Sequence, residues 1–353
     1  MTDSSATSRF LSALRWQDAA AALAPLLLAL LVAALVLGLA GHNPLEVYRL
    51  LAVESFGGQK RIAATLAAAT PLMLTGLATA VAFRAGVFNV GVEGCVFVGG
   101  LAAAYVGFAW AGLPGVVLLP AAIITSVVIG ALWMLVPGLL KARLDVDEVV
   151  TTLMLNFIAI SLTAYLVNGP LLAPGSANSA TPMIDAAARL PKLLPPSTLN
   201  AGFLIALALL LLYAWWGSRT ALGFETRMAG LNARFATASG IDVPMLVIKM
   251  MMLSGAIGGL AGGIHALGAV GRFVAGFSPG YGFTGIAVAL LGRGSALGIF
   301  LAAVLFGALT TSGATIQLFS DVPIEIVNIL QGMVMIFAVA RFGWIFGKRR
   351  AAR

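Results

Sequence analysis

The sequence predicts an all-α polytopic membrane protein with roughly eight to ten transmembrane helices, some of them broken. Three observations carry this. Of the 353 residues, 60% are hydrophobic and only 10% charged, whereas soluble domains hold about 45–50% and about 25%. A soluble globule of this size has no interior large enough for that apolar surface, which excludes a soluble enzyme or a nucleic-acid-binding domain. Apolar runs of about 20 residues, enough to cross ~30 Å of hydrocarbon, recur along the whole chain. These runs are rich in Leu, Ala and Gly without strict alternation, so a backbone that must pair its own polar groups in lipid does so as helices, not as a barrel.

Taken in order, a polar tail, 1–18, holds Ser4, Ser5 and Ser8. The first apolar run, 19–40, is longer than the about 7–15 residues of a signal-peptide core, so it reads as an uncleaved span. Further runs cover 62–83, 88–110, 114–140, 148–167, 200–216, 244–270, 273–291, 296–313 and 323–341, which makes 19–341 one transmembrane domain; a basic tail, 342–353, follows. Gly and Pro near 88–95 and 278–285 point to broken or re-entrant helices, tolerated where backbone faces protein or a wet cavity. Segment 168–199, with six prolines from Pro170 to Pro196, is expected to be an irregular external loop, and 217–243 an internal one. Within the latter, Thr226 to Ser239 has helical spacing that puts Met228, Leu231 and Phe235 on one face. Loop 41–61, with Arg49, Lys60 and Arg61, fits an external position poorly.

The net charge of +8 sits at span ends: Arg84, Lys141, Arg143, Arg219, Arg227, Arg234, Arg293, then Arg341, Lys348, Arg349, Arg350 and Arg353. Lys/Arg excess marks cytoplasmic ends, which places both termini inside and makes the lipid bilayer, not nucleic acid, the partner of this charge. The single cysteine, Cys95, allows no internal disulfide, and His42 and His265 are too far apart for a zinc motif, so no metal site is expected. Neither a GxxxxGK[ST] phosphate loop nor a GxSxG motif occurs; no catalytic residue and no cofactor is assigned to this chain.

Polar residues at membrane depth cost about 2.5–3.5 kcal/mol when charged and are therefore informative. Asn89 and Glu93 lie one helical turn apart, and Asn156 interrupts another apolar run. They read as lining a substrate path or as structural contacts, with Arg84 or Lys249 as partners for Glu93. Gly276 to Phe283, GFSPGYGF, sets Ser278, Tyr281 and Phe283 among backbone breakers. Such a segment offers free N–H groups and aromatic faces to a flat or sugar-ring ligand, or forms an interfacial turn. Gly255, Gly259 and Gly263 recur on one helix face and let another backbone approach closely. Leu74-Thr75-Gly76 with Asn89-Val90-Gly91 echoes Leu253-Ser254-Gly255 with Pro279-Gly280-Tyr281-Gly282, as in transporters built from repeats.

Residues 83–107, FRAGVFNVGVEGCVFVGGLAAAYVG, resemble the hallmark region of the branched-chain amino acid and sugar type of ABC-importer permeases. Residues 148–170, EVVTTLMLNFIAISLTAYLVNGP, and 276–309 look like its nucleoside and simple-sugar subgroup. The resemblance implies a permease subunit in a bacterial plasma (inner) membrane, working by alternating access. It also implies that the internal loop carries a docking helix for an ABC ATPase subunit, through Arg227, Gly230, Asn232, Ala236 and Gly240. Ala233 stands where the family often has proline. ATP would then bind to that separate partner, typically a fused double cassette. A second, diverged permease and an extracytoplasmic solute-binding protein would complete the importer. A nucleoside is the expected solute, with a simple sugar as the alternative. An ion-coupled secondary transporter is a weaker alternative, because the spans hold few ionisable groups.

Overall fold

The computed structural model describes residues 43–319 continuously, together with 27–28, 30–39, 41, 329, 331–333 and 335–336. The tails 1–18 and 342–353, His42, and most of the run 323–341 with the C-terminal basic cluster lie outside the described residues.

In chain order the helices are α1 (Leu30–Leu39), α2 (Pro44–Phe56), α3 (Gln59–Arg84), α4 (Val92–Ala109), α5 (Gly115–Leu144), α6 (Glu148–Asn168), α7 (Gly202–Arg219), α8 (Ala221–Leu231), α9 (Ala233–Ala238), α10 (Val243–His265), α11 (Tyr281–Leu291) and α12 (Ala296–Phe319). A π-helical turn, Ala266–Val270, prolongs α10. Seven of these are long and apolar enough to cross a membrane: α3 to α7, α10 with its π turn, and α12; α1 and α11 are apolar but shorter. Among the described residues extended pairing is confined to two isolated bridges, Ala180 with Val274 and Lys192 with Asn200.

Two apolar runs break where glycine and proline mark them: 88–110 is helical only from Val92, and 273–291 only from Tyr281; in each, glycines precede the helix and the chain enters it as irregular backbone. Two expectations are corrected. The single helix expected over Thr226–Ser239 is two helices, because the Asn232 side chain accepts the Phe235 N–H at 3.0 Å and starts a new one. Loop 41–61 carries α2.

The chain forms two compact units, residues 55–311 and the residues outside that range. In the unit that holds α1 and α2, the Tyr48 hydroxyl donates to the Leu30 carbonyl at 2.5 Å, tying α2 to α1. In the 55–311 unit, α10 lies between α4 and α5, and glycine allows the approach on both sides. A β-carbon at Gly259 would overlap the Ser126 carbonyl oxygen of α5, and one at Gly262 would overlap the Val96 carbonyl oxygen of α4. Gly255 meets Gly130 and Met134, and Gly263 meets Ser126, so the four-residue glycine spacing faces α5. Segment α3 packs on α10 and α11.

One end of this unit holds Arg84, Lys141 and the α8–α9 segment. There Lys141 bridges the α5–α6 turn, 2.8 Å from Asp145 and 3.2 Å from Glu148. At the opposite end, the 169–201 segment covers α4, α5 and α10. Thr181 donates its N–H to the Phe273 carbonyl at 2.9 Å, Leu190 does so to Leu267 at 3.1 Å, and Gly112 donates to the Asp185 carboxylate at 3.3 Å.

Candidate functional site

The two breaks in the helical pattern meet. After Arg84 the chain runs non-helically through Ala85–Gly91 and starts α4 at Val92, inside apolar surroundings. The first N–H groups of a helix have no intrahelical partner, and in a water-free interior each must find one. Asn89 and Asn156 supply them. The Asn89 Oδ1 accepts the Gly91 N–H at 2.7 Å, and the Asn156 Oδ1 accepts the Gly94 N–H at 2.8 Å. The Asn156 Nδ2 donates to the Val90 carbonyl at 2.9 Å, and the Thr152 hydroxyl oxygen accepts the Val90 N–H at 3.2 Å. The Asn89 Nδ2 donates to the Ser254 hydroxyl of α10 at 2.8 Å.

The start of α11 is built in the same manner. Gly280 takes a left-handed conformation, φ +93°, and the Ser278 hydroxyl oxygen accepts the N–H of Gly280 at 3.2 Å and of Tyr281 at 3.0 Å. The Glu93 carboxylate, from the first turn of α4, accepts the Gly282 N–H at 2.5 Å. A carboxylate is favoured at the positive end of a helix dipole, and a bond to an ionised acceptor is among the stronger ones. The two helices then diverge: α4 runs to Gly107, whose carbonyl accepts the Asp185 N–H at 3.0 Å, while the shorter α11 runs toward Gly294, whose carbonyl accepts the Tyr213 hydroxyl at 2.9 Å.

Asn89, Glu93 and Asn156 are 0%, 2% and 1% exposed, and their side-chain bonds are all made within the protein. Two sequence expectations change. Asn89 belongs to the irregular segment before α4, so it does not share a helix face with Glu93. Glu93 is held by Gly282 and not by Arg84, which bonds Gly217, or by Lys249, which is exposed. Tyr281 packs its ring 5.1 Å from that of His265, which sits 5.0 Å from Phe277. Phe283 is 40% exposed. A cavity of about 560 Å³ between α4, α5 and α6 is lined by Leu101, Tyr105, Trp133, Leu155 and Leu162 among others, and includes none of Asn89, Glu93, Asn156, Ser278, Tyr281 and Phe283. No cluster of metal-ligating side chains occurs among the described residues.

In the α8–α9 segment, Thr220 caps α8 by accepting the Gly223 N–H at 3.1 Å. Gly223, Thr226 and Ala229 form its buried face; Met228 and Leu231 lie off that face, and Phe235 belongs to α9, so the three do not share one helix. Leu231 is 69% and Phe235 54% exposed, beside exposed Arg227 and Arg234. Ala236 is buried, and Gly240 ends the segment with φ +86°. Gly230 rests on the backbone of Arg84. Sequence reasoning passed over Ser254, Thr152 and Gly282 as partners in the junction. Ser254 and Thr152 do interrupt apolar runs, a signal of the kind that drew attention to Asn156; Gly282 contributes only backbone and has none.

Residues 61–339 match the family described as the branched-chain amino acid transport system permease component. The chain is 36% identical to the guanosine ABC transporter permease protein of Bacillus subtilis, over 92% of this chain and 94% of that one. It is 35% identical to the glucose ABC transporter permease protein of Haloferax volcanii, over 89% and 85% of the two chains. To the nucleoside ABC transporter permease protein of Lactococcus lactis it is 33% identical, over 88% of each.

Proposed function

Because the chain belongs to the family of branched-chain amino acid transport system permease components, we propose that it is the membrane-spanning permease of an ABC importer that carries nucleosides inward. One observation carries the solute: the 36% identity to a guanosine permease runs nearly end to end in both proteins. The junction is in keeping with an uncharged solute. Its carboxylate, Glu93, is 2% exposed and turned to the Gly282 N–H, so it is not presented to a cationic solute. A simple sugar is the second reading, supported by the 35% identity to a glucose permease.

In this reading Asn89, Glu93, Asn156 and Ser278 hold α4 and α11 beside the path, and Tyr281 and Phe283 offer aromatic faces near it. The α8–α9 segment, with Arg227, Gly230, Asn232, Ala236 and Gly240, docks on the ABC ATPase subunit at the cytoplasmic side, which is the basic end. ATP binds and is hydrolysed on that partner, a fused double cassette; this chain holds no cofactor. A diverged second permease and an extracytoplasmic binding protein complete the importer in a bacterial plasma membrane, with both termini of this chain cytoplasmic. The solute undergoes no covalent change. Closing the cassettes moves the docking segments, and transport follows from the changed relative stability of the inward- and outward-open states.

The test is uptake by the complete importer in proteoliposomes, with labelled guanosine, adenosine and uridine beside ribose and glucose. ATP-dependent nucleoside uptake with mutual competition is expected. Sugar uptake that nucleosides do not inhibit would replace the solute, and uptake by this chain alone under an ion gradient would overturn the importer reading.

A further inference from the structure

We propose that Arg84 is a positioning residue that links the α8–α9 segment to α3 and to the half-helix α11, so that movement at the ATPase dock reaches the junction. The proposal rests on the docking reading of α8–α9.

Arg84 is the last residue of α3, where a cation is favoured by the helix dipole. Its surroundings are unusual for a half-buried cation, because among the described residues no carboxylate holds it. Its Nη2 donates to the Gly217 carbonyl at the end of α7. Its Cζ lies 5.6 Å from the centre of the Trp216 ring and 6.0 Å from that of Tyr213, within the range of cation–π attraction. A β-carbon at Gly217 would come 2.5 Å from the Arg84 Nη1, so a larger residue there would displace the guanidinium. Among the described residues the Arg84 Nε is buried without a hydrogen-bond partner, an arrangement that costs free energy and that stability alone would not favour.

The same residue touches two further elements, α8 and α7. Its carbonyl lies against Gly230 so closely that a β-carbon there would overlap it, and Gly86 faces the Gly230 Cα. Two backbones in direct contact leave no flexible side chain to absorb a displacement of α8. Its guanidinium holds Tyr213, whose hydroxyl donates to the Gly294 carbonyl at 2.9 Å in the turn between α11 and α12. Further along α3, Gly76 packs against Val288 and Thr75 against Gly285 of α11. A push on α8 therefore reaches α11 by two routes, through the body of α3 and through Tyr213. Lysine cannot replace arginine here: it has neither the planar face for two rings nor the forked donor.

The experiment uses the complete importer in proteoliposomes and reads solute uptake per ATP hydrolysed. Arg84→Lys is expected to assemble and hydrolyse ATP while uptake per ATP falls about tenfold, the scale of ordinary coupling between sites. Trp216→Leu and Tyr213→Phe should shift the ratio the same way, and the Arg84→Lys/Trp216→Leu pair should fall no further than Arg84→Lys alone. Lower thermal stability or yield with an unchanged ratio in these variants makes the cluster structural and overturns the proposal. If Arg84→Lys does not assemble, the Tyr213→Phe and Trp216→Leu ratios decide the matter in the same way. A cysteine in place of exposed Leu231 monitors the dock itself. Failure to cross-link to the ATPase subunit overturns the docking reading and this proposal with it, whereas cross-linking with normal uptake per ATP in the Arg84→Lys background overturns the proposal alone.

Discussion

Helices α3 and α4 and helices α6 and α7 are similarly apolar, yet 78% of the central stretch of α3 and of α4 is buried against 22% of that of α6 and of α7. Hydropathy therefore does not sort inner from outer helices here, and the physics says why. When the solvent is itself hydrocarbon, an apolar side chain gains little by leaving it, so packing and hydrogen bonding decide. The buried helices carry many small residues: Thr65, Ala69, Thr75, Gly76, Ala78 and Thr79 in α3, Gly94, Gly99, Gly100 and Ala103 in α4, beside larger ones such as Leu74 and Phe97. The outer helices turn Leu204, Leu211, Leu212 and Trp215 of α7 and Phe157, Ile158 and Leu162 of α6 outward. Each keeps one inward stripe, Thr152, Asn156, Ala159 and Thr163 in α6 and Gly202, Ala206, Leu210 and Tyr213 in α7.

The contrast can be broken most severely at α10, the helix around which the inner set packs. Gly259→Leu places a side chain against the Ser126 and Gly130 backbone of α5, where nothing can rotate away. The loss should reach or exceed the about 1–3 kcal/mol of ordinary overpacking and abolish a monodisperse, cooperatively unfolding protein in detergent. Leu211→Ala on the outer face of α7 should change stability by no more than about 0.5 kcal/mol. Equal thermal unfolding of the two variants would remove the distinction between inner and outer helices.

Asn156 sharpens the comparison, since it lies on the inner stripe of an outer helix. Asn156→Leu leaves the Gly94 N–H and the Val90 carbonyl without their partner, at about 1–3 kcal/mol for each. Leu162→Ala, one residue from that stripe but 41% exposed, should be far milder. Similar unfolding midpoints for these two would mean that the junction is not held by Asn156.

A smaller effect is expected at the other side of the junction. Glu93→Gln keeps an acceptor for Gly282 but removes its charge, which should cost about 1–2 kcal/mol, the margin of a charge-assisted bond over a neutral one. A variant as stable as the parent would show that the carboxylate is protonated or dispensable there. The least change concerns the exposed segment: Asn232→Ala removes the α9 cap and should cost about 1 kcal/mol, read as faster amide exchange confined to 233–238. Uniform exchange across α8 and α9 would contradict the two-helix description.

Much of the junction was legible in the residues. Glycines near 88–95 and 278–285 marked both breaks, and Asn89, Glu93, Asn156 and Ser278 were the polar residues that such breaks require. Their pairing was not legible. A helical-wheel argument put Asn89 and Glu93 on one face because it assumed that the helix already existed at Asn89; the helix starts three residues later. Arg84 likewise read as an orienting charge at a span end, since nothing in the local sequence indicates that Trp216 and Gly217 will stand beside it.

By itself the sequence determined that the chain is helical, where its long apolar segments lie and where two of them break, because helical hydrogen bonds close within four residues and lipid forbids leaving them open. Tertiary structure alone decided which side chain answers which open group. Asn89 finds Ser254 across 165 residues, Glu93 finds Gly282 across 189, and Arg84 finds Gly217 across 133. Those meetings depend on how closely backbones can approach, and that is set by pairs of small residues, such as Gly99 with Gly259 and Gly130 with Gly255. Each glycine is visible in the sequence, but its partner emerges only when the helices pack.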